Sequence, residues 1–272
     1  MTERFAADWL ALREPFDHAA RSMALARRLA AMLPQRPRLM DLGAGTGSMF
    51  RFLAPIIGRG QDWILVDADA ALLDEAFGRT AAWARRRGFA ATADRDELRV
   101  TTPRGLWRMR VRYADLLQAA EVDAVVCSAL LDLLSARWLS QLCHTLQVPF
   151  LACLTVDGRD AWRPRPPNDA LVRTAFRRDM RRDKGFGPAL GVTASRAIDA
   201  TSSAPSDWRI PRTALRMQRA LIDSTADAAR NACPARADAI TAWQEARLRQ
   251  ALRGRLAITI GHRDILILPP GG

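Results

Sequence analysis

The segment Asp41-Leu42-Gly43-Ala44-Gly45-Thr46-Gly47 stands between a short apolar run, Leu39 to Leu42, and a stretch of helical character, Ser48 to Ile57. Glycines placed there let the backbone turn sharply and approach a ligand where a Cβ would collide with it. Nucleotide cofactors of several kinds use such a loop, and spacing separates them. A dinucleotide fingerprint expects its third glycine three residues after Gly45, where this chain has Ser48. A second apolar run, Trp63 to Val66, ends at Asp67, followed by Ala68 and Asp69. A carboxylate at the end of a strand beside a glycine loop is a candidate ligand acceptor. The structural alternative is that Asp69 caps the following helix and Asp67 is a turn residue.

The elements that must position these groups follow from periodicity. Apolar residues recur at helical spacing from Phe5 to Leu33, closed by Pro34 and Pro37, which predicts one or two helices ahead of the first strand. Ala70 to Arg87 reads as a long helix that Gly88 can terminate. Leu98 to Thr102 and Leu106 to Tyr113 read as a β-hairpin in which Arg108, Arg110 and Arg112 alternate with apolar residues. Those arginines suit the outer face of an edge strand, where charge deters edge-to-edge pairing; holding an anionic substrate is the alternative. Val122 to Ser128 and Pro149 to Val156 are further strands, with a helix from Asp132 to Leu146 between them. Strands alternating with helices predict a parallel sheet wound on both faces, with ligands at the carboxyl ends of the strands. After Asp157, a loop from Arg159 to Pro167, helices over Asp169 to Arg182 and Thr193 to Ala200, and two more over Arg212 to Arg230 and Pro234 to Leu252 are expected. An apolar strand between Ala200 and Trp208 has little support, because Ser-Ala-Pro-Ser occupies the place. Apolar segments Leu256 to Ile260 and Ile265 to Leu268 close the chain.

An aspartate ahead of a GxGxG pattern resembles motif I of class I S-adenosylmethionine-dependent methyltransferases, whose glycine loop runs under the cofactor's amino acid and ribose portions. The resemblance implies S-adenosyl-L-methionine as cofactor, with Asp41, Gly43, Ala44, Gly45 and Gly47 around it. It implies that Asp67, next to Ala68, accepts hydrogen bonds from the ribose hydroxyls. Tyr113-Ala114-Asp115-Leu116 is similar to the family's acidic motif after the third strand, which places Asp115 and Leu116 by the adenine amino group; a helix cap or turn is the alternative. Val125 to Leu130 resembles the fourth motif, whose strand end, at Ser128, passes close to the cofactor. Phe16-Asp17-His18-Ala19-Ala20-Arg21 resembles an FDxxAR segment of several small-molecule methyltransferases, in which Arg21 pairs with the cofactor's carboxylate; an arginine on a solvated helix face is the alternative. The resemblance runs from Leu39 to Val156 and thins beyond.

What it implies for the fold is a doubly wound, mostly parallel α/β Rossmann-like methyltransferase sheet with an N-terminal helical cap and extra C-terminal helices. In a single domain, residues 1–36 form the cap, 37–158 the cofactor-binding core, 159–255 a substrate or lid region and 256–272 a closing strand segment. No Asn-Pro-Pro-aromatic sequence follows Ser128 and no Pro-Cys pair occurs, departures from enzymes that methylate amino nitrogens or pyrimidine C5. A small-molecule methyl acceptor is therefore expected, with RNA or protein as the runner-up acceptor and a non-catalytic cofactor-binding protein as the alternative from another class. His18, Asp160 and Asp183 are the candidate bases if one is used. The loop Asp183 to Gly191 carries the sole lysine, Lys184, with Phe186, and reads either as a substrate wall or lid or as a long connection.

Bulk properties set bounds on partners. The chain has 272 residues, 49% hydrophobic and 26% charged, as in an ordinary globular protein rather than a disordered or fibrous one. Its formal charge of +12 is almost all arginine spread along the chain, which reads as a solvated, arginine-biased surface; nucleic acid is possible and not favoured. Cys127, Cys143, Cys153 and Cys233 show no CxxC spacing and the three histidines no metal-ligand spacing, so neither disulfides nor a metal is expected. Met1 to Leu10 does not read as a signal peptide, and no apolar run reaches the roughly 18 residues of a membrane span. The expected location is the cytoplasm, with no membrane partner; oligomeric state is left open.

Overall fold

A computed structural model describes residues 6–113 and 121–269. The N-terminal cap is two helices, α1 (Ala7–Ala20) and α2 (Met23–Met32), the second started by Ser22, whose hydroxyl accepts from the Leu25 N–H. The core then runs β1 (Arg38–Leu42), α3 (Ser48–Ile57), β2 (Gln61–Asp67), α4 (Ala70–Arg86), β3 (Ala90–Ala93), β4 (Glu97–Thr102), β5 (Gly105–Tyr113), β6 (Ala124–Ser128), α5 (Ala136–Thr145) and β7 (Phe150–Arg163), with β3 an added strand that the sequence pattern does not announce and α5 starting four residues later than expected. Asp69 caps α4 by accepting from Ala71 N–H, and Gly88, at φ +77°, ends that helical segment. The last third comprises α6 (Asp169–Met180), β8 (Ser202–Pro205), β9 (Trp208–Ile210), α7 (Leu215–Ala232), α8 (Ala237–Leu252) and β10 (Ala257–Ile267).

Among the described residues these strands make one sheet in the order β3-β4-β5-β2-β1-β6-β7-β10-β8, with β9 also on β10. Strands β5, β2, β1, β6 and β7 run parallel; β10 is antiparallel to its neighbours. The chain leaves β1 to one side for β2 and later returns to its other side for β6, so the strand order reverses at β1/β6. In an open parallel sheet that is where a crevice forms beyond the carboxyl ends. Alternation along β1 sends Leu39 to a core under α2, α3 and α4, and Met40 and Leu42 to a second core shared with α5.

Four expectations are corrected. Strand β5 is internal, paired to both β4 and β2, because β3 and β4 extend the sheet outward; Arg108, Arg110 and Arg99 share one exposed face, compensated by Asp62 and Glu97. Strand β7 does not stop at Gly158 but runs to Arg163, since β10 continues to pair with it past the parallel sheet. The Ser-Ala-Pro-Ser stretch is strand β8 after all: an edge strand tolerates proline and polar side chains because one of its sides needs no partner. Residues 193–200 hold no α-helix; a 3-10 turn spans Gly191–Arg196.

One buried carboxylate ties the cap to the sheet. Asp264 of β10, with no exposed surface, accepts from Ser22 N–H at 2.6 Å and from Leu154 N–H at 2.8 Å. Leu154 has φ +56° and follows the last β6–β7 pair, Ser128 with Cys153, so the kink sends β7 out over the carboxyl edge of the sheet. No described helix is long and apolar enough to cross a membrane.

Candidate functional site

Three strand ends meet at the crevice. Gly43, Gly45 and Gly47 lie at φ +63°, +52° and +83°, a region costly for any side chain, so each glycine of the loop is required by the backbone path. The loop is fastened to β2 by Ala44 N–H donating to Val66 O at 3.0 Å and by Gly45 N–H donating to Asp67 Oδ2 at 2.8 Å. The other oxygen of Asp67 accepts from Asp69 N–H at 2.9 Å, which orients the carboxylate beside Ala68 at the crevice. Burial raises the Asp67 pKa, opposed by these backbone donors.

Asp41, the next-to-last residue of β1, is almost without exposure, and both of its carboxylate oxygens are buried with no hydrogen-bond partner. Burial, first, and the nearby Asp67 charge push its pKa to about 8, against a lowering by Arg21. Buried carboxylates are almost always satisfied, so this one calls for a cation or donor that the described residues do not supply. Arg21, at the end of α1, reaches the same place: Nη2 donates to Ser128 Oγ at 2.8 Å and to Ser48 Oγ at 3.3 Å. Its guanidinium lies over the Phe52 ring at 5.2 Å, and its Nε has no partner. Arg21 thus clamps the first residue of α3 to the end of β6. The tertiary fold brings Arg21, Asp41, Gly43, Ala44, Gly45, Asp67, Ala68 and Ser128 to one crevice, with Gly47 starting α3 behind it. Asp115 and Leu116 lie outside the described residues.

The crevice measures about 140 Å³. That is small for a ligand site, typically roughly 300–1,000 Å³. Helix α1 accounts for the difference: Leu10 Cδ1 stands 3.0 Å from the point where a Cβ on Gly45 would be, roofing the glycine loop, and Phe186 closes another side. A second cavity of about 490 Å³ adjoins it, and Arg13, Ala129 and Leu133 belong to both. Its walls come from α1, the extended part of β7, α6, α7 and β10, with Trp9, Trp162, Trp208, Trp243 and Phe176 as its large rings.

The three candidate bases separate. Asp160 lines the larger cavity but is paired with Arg177 at 3.2 Å and Arg173 at 3.4 Å. His18 lines neither cavity; its Nε2 is 3.1 Å from Ser48 O, and burial, then Arg21, lowers its pKa to about 4. Asp183 is exposed and accepts from Gly185 and Gly187 N–H, shaping its own loop. That loop nevertheless walls both spaces, Lys184 facing the larger cavity and Phe186 the crevice.

Residues that sequence reasoning missed are Leu10, Arg13, Trp208 and His262. Arg13 lies over the Trp208 ring at 4.8 Å and binds Asp17 at 3.0 Å, and Trp208 Nε1–H donates to Asp17 at 3.0 Å. His262 packs on Trp208 with ring centroids 5.1 Å apart, is buried, and has no partner for Nδ1 at close hydrogen-bonding geometry. The i, i+4 pair Arg13/Asp17 is a signal visible in sequence; nothing there marks His262, a lone histidine in an apolar strand.

No family model matches the chain, and no curated protein matches it in sequence. Among solved structures it is similar to a SAM-dependent methyltransferase from Thiobacillus denitrificans in complex with S-adenosyl-L-homocysteine, at 15% identity and TM-score 0.45, covering 98% of this chain and 100% of that one. A SAM-dependent methyltransferase from Geobacter sulfurreducens, also with S-adenosyl-L-homocysteine, is 17% identical at TM-score 0.45, covering 97% and 98%. Likenesses at this level leave the functional reading to the chain's own residues.

Proposed function

We propose that the chain is a class I S-adenosyl-L-methionine-dependent methyltransferase acting on a small molecule. The observation that carries this is Asp41: two buried, unpartnered carboxylate oxygens over a left-handed glycine loop, with a second carboxylate, Asp67, held opposite. These residues fit the cofactor. Asp41 would take its ammonium group, Arg21 its carboxylate, and Asp67 its ribose hydroxyls, with the Leu130 and Leu10 side chains that now lie against Gly43 and Gly45 moving aside to admit it. Bound there, the cofactor supplies an electrophilic sulfonium methyl group.

The chain's own contribution is to hold a nucleophile close and to exclude water. Arg13, Ala129 and Leu133 border both spaces, so an acceptor in the larger cavity would meet the crevice across them. Positioning of this kind can supply much of the rate of a displacement reaction. Asp160 is already engaged by two arginines, so it is not the base we favour. An aromatic-walled cavity favours a small molecule over RNA or protein.

Calorimetric titration with S-adenosyl-L-homocysteine tests the reading. Wild type should bind it, whereas Gly43→Val, which forces a side chain to φ +63° and to within 3.1 Å of Leu130, and Asp67→Ala should each abolish or greatly weaken binding while the fold persists. Unchanged affinity in both variants would sink the assignment.

A further inference from the structure

The larger cavity's charges are matched internally. Arg13 is held by Asp17 at 3.0 Å, Arg159 by Asp157 at 2.6 Å and Asp207 at 2.7 Å, and Arg173 and Arg177 share Asp160. On the acidic side, Asp179 is bound by Arg182 at 2.6 Å and Asp169 by Arg247 at 2.6 Å; Lys184 and Asp132 are not free either. An ionic ligand entering here would lose its hydration without gaining an uncommitted counter-charge, and burying such a charge is strongly unfavourable. The rest of the wall is largely aromatic and aliphatic.

Against that background His262 differs in charge: Arg173 Nε and Asp179 Oδ1 are also buried without a hydrogen bond, but they belong to charged groups. His262 is uncharged at neutral pH, since burial and the Arg13 charge lower its pKa to about 4 against the Asp17 and Asp157 charges and a hydrogen bond to the Ile260 backbone, and its Nδ1 meets no partner at close hydrogen-bonding geometry. Strand β10 fixes it: its N–H donates to Asp207 Oδ1 at 3.2 Å, and Trp208 supports the ring. Through Trp208 it adjoins Arg13, which borders the crevice as well.

We propose that the larger cavity takes an uncharged, apolar, ring-sized molecule bearing a hydroxyl group, which His262 anchors by a hydrogen bond. That this molecule is the methyl acceptor rests on the function proposed above; the selectivity of the cavity does not. At about 490 Å³ the space falls within the roughly 300–1,000 Å³ range of small-molecule sites.

The test is equilibrium binding to the full chain, read by tryptophan fluorescence, of four probes of one shape at about pH 7.5: 2-naphthol, naphthalene, 2-naphthoate and a naphthylmethylammonium ion. Wild type should bind 2-naphthol at least roughly tenfold more tightly than either ion. In His262→Phe, 2-naphthol should weaken by roughly five- to tenfold while naphthalene is unaffected, separating a lost hydrogen bond from a damaged cavity. Asp160→Asn, which leaves Arg173 and Arg177 uncompensated, should gain 2-naphthoate binding by roughly tenfold. Equal or tighter binding of an ion by wild type, no binding of 2-naphthol, or a His262→Phe variant with unchanged preference would each overturn the proposal. Asp67→Ala separates the two readings: it should lose S-adenosyl-L-homocysteine and keep 2-naphthol. A wild type that never binds S-adenosyl-L-homocysteine but shows the probe selectivity would overturn the methyltransferase reading alone.

Discussion

At Asp41 the chain keeps a carboxyl group where ionisation is unfavourable, and the direction of its pKa shift makes a signed prediction. The folded value, about 8, lies above the usual carboxylate value near 4, so the folded state holds this proton more tightly than the unfolded one. The stabilisation it lends is complete below about pH 4 and is lost as pH rises through about 8. Asp41→Asn should therefore raise the melting temperature of the ligand-free protein, by a margin that widens from about pH 4 to about pH 8 and levels off above it. Binding should move the other way. A cationic amino-acid group needs the ionised carboxylate, so wild-type affinity for S-adenosyl-L-homocysteine should rise toward pH 8 with proton release. The asparagine variant should bind roughly tenfold more weakly, with no such slope, from the loss of one charge-assisted hydrogen bond. Calorimetry in two buffers of different ionisation enthalpy reads both; a pH-independent wild type would separate Asp41 from the ligand.

Helix α1 is the element on which access to the crevice turns. Its Leu10 roofs the glycine loop, and its Glu14 holds Arg51 through two bonds of 2.7 Å. Arg51 in turn donates to Thr46 O at 2.6 Å and to Thr80 Oγ1 at 3.0 Å, so one buried guanidinium fixes both roof and loop. Glu14→Ala should cost about 1–3 kcal/mol in urea unfolding, since it strips a charge partner from a buried arginine. It should also speed S-adenosyl-L-homocysteine release in stopped-flow experiments more than it weakens equilibrium binding. An unaltered off-rate would mean that α1 is not what the ligand must displace. The wall of the larger cavity has a comparable keystone in Arg247, fully buried, bonded to both oxygens of Asp169 and lying over Trp162 and Trp243 at 5.4 and 5.7 Å. Asp169→Ala, leaving that charge uncompensated, should destabilise the protein by about 3–5 kcal/mol; a loss below about 1 kcal/mol in denaturant melts would show that water reaches Arg247.

Across the whole molecule, two histidines that folding buries uncharged lower the stability of the fold in acid. His18 and His262 both have pKa values lowered to about 4, chiefly by burial. Their folded values lie below the usual value near 6.5, so their contribution is present above about pH 6.5 and is lost as pH falls through about 4. Between about pH 6.5 and 4 each ring should take up a proton on unfolding while Asp41 releases one, and His262→Phe should remove one of the two uptakes; a variant with the same proton uptake as wild type in that window would contradict the buried, neutral state of the His262 ring. The charge of +12 acts differently: on the open sheet face Arg99 and Arg110 share Glu97 and Arg108 lies 3.4 Å from Asp62, so part of the charge of that face is neutralised locally.

Local signals were legible because they obey short-range rules. The helical pattern of residues 48–57 is α3, and the glycine loop and Asp67 are legible because turn geometry and strand ends are written in neighbouring residue types. Strand β8 was not, since its formation depends on backbone pairing with β10 about sixty residues away rather than on its own polar side chains. By itself the sequence determined the order of elements and the residues at the strand ends. Tertiary structure alone decided that Asp41 is left without a partner, that Leu10 covers Gly45, and that His262 faces a cavity with Trp208. Each of those rests on through-space contact between segments far apart in the chain, which periodicity does not encode.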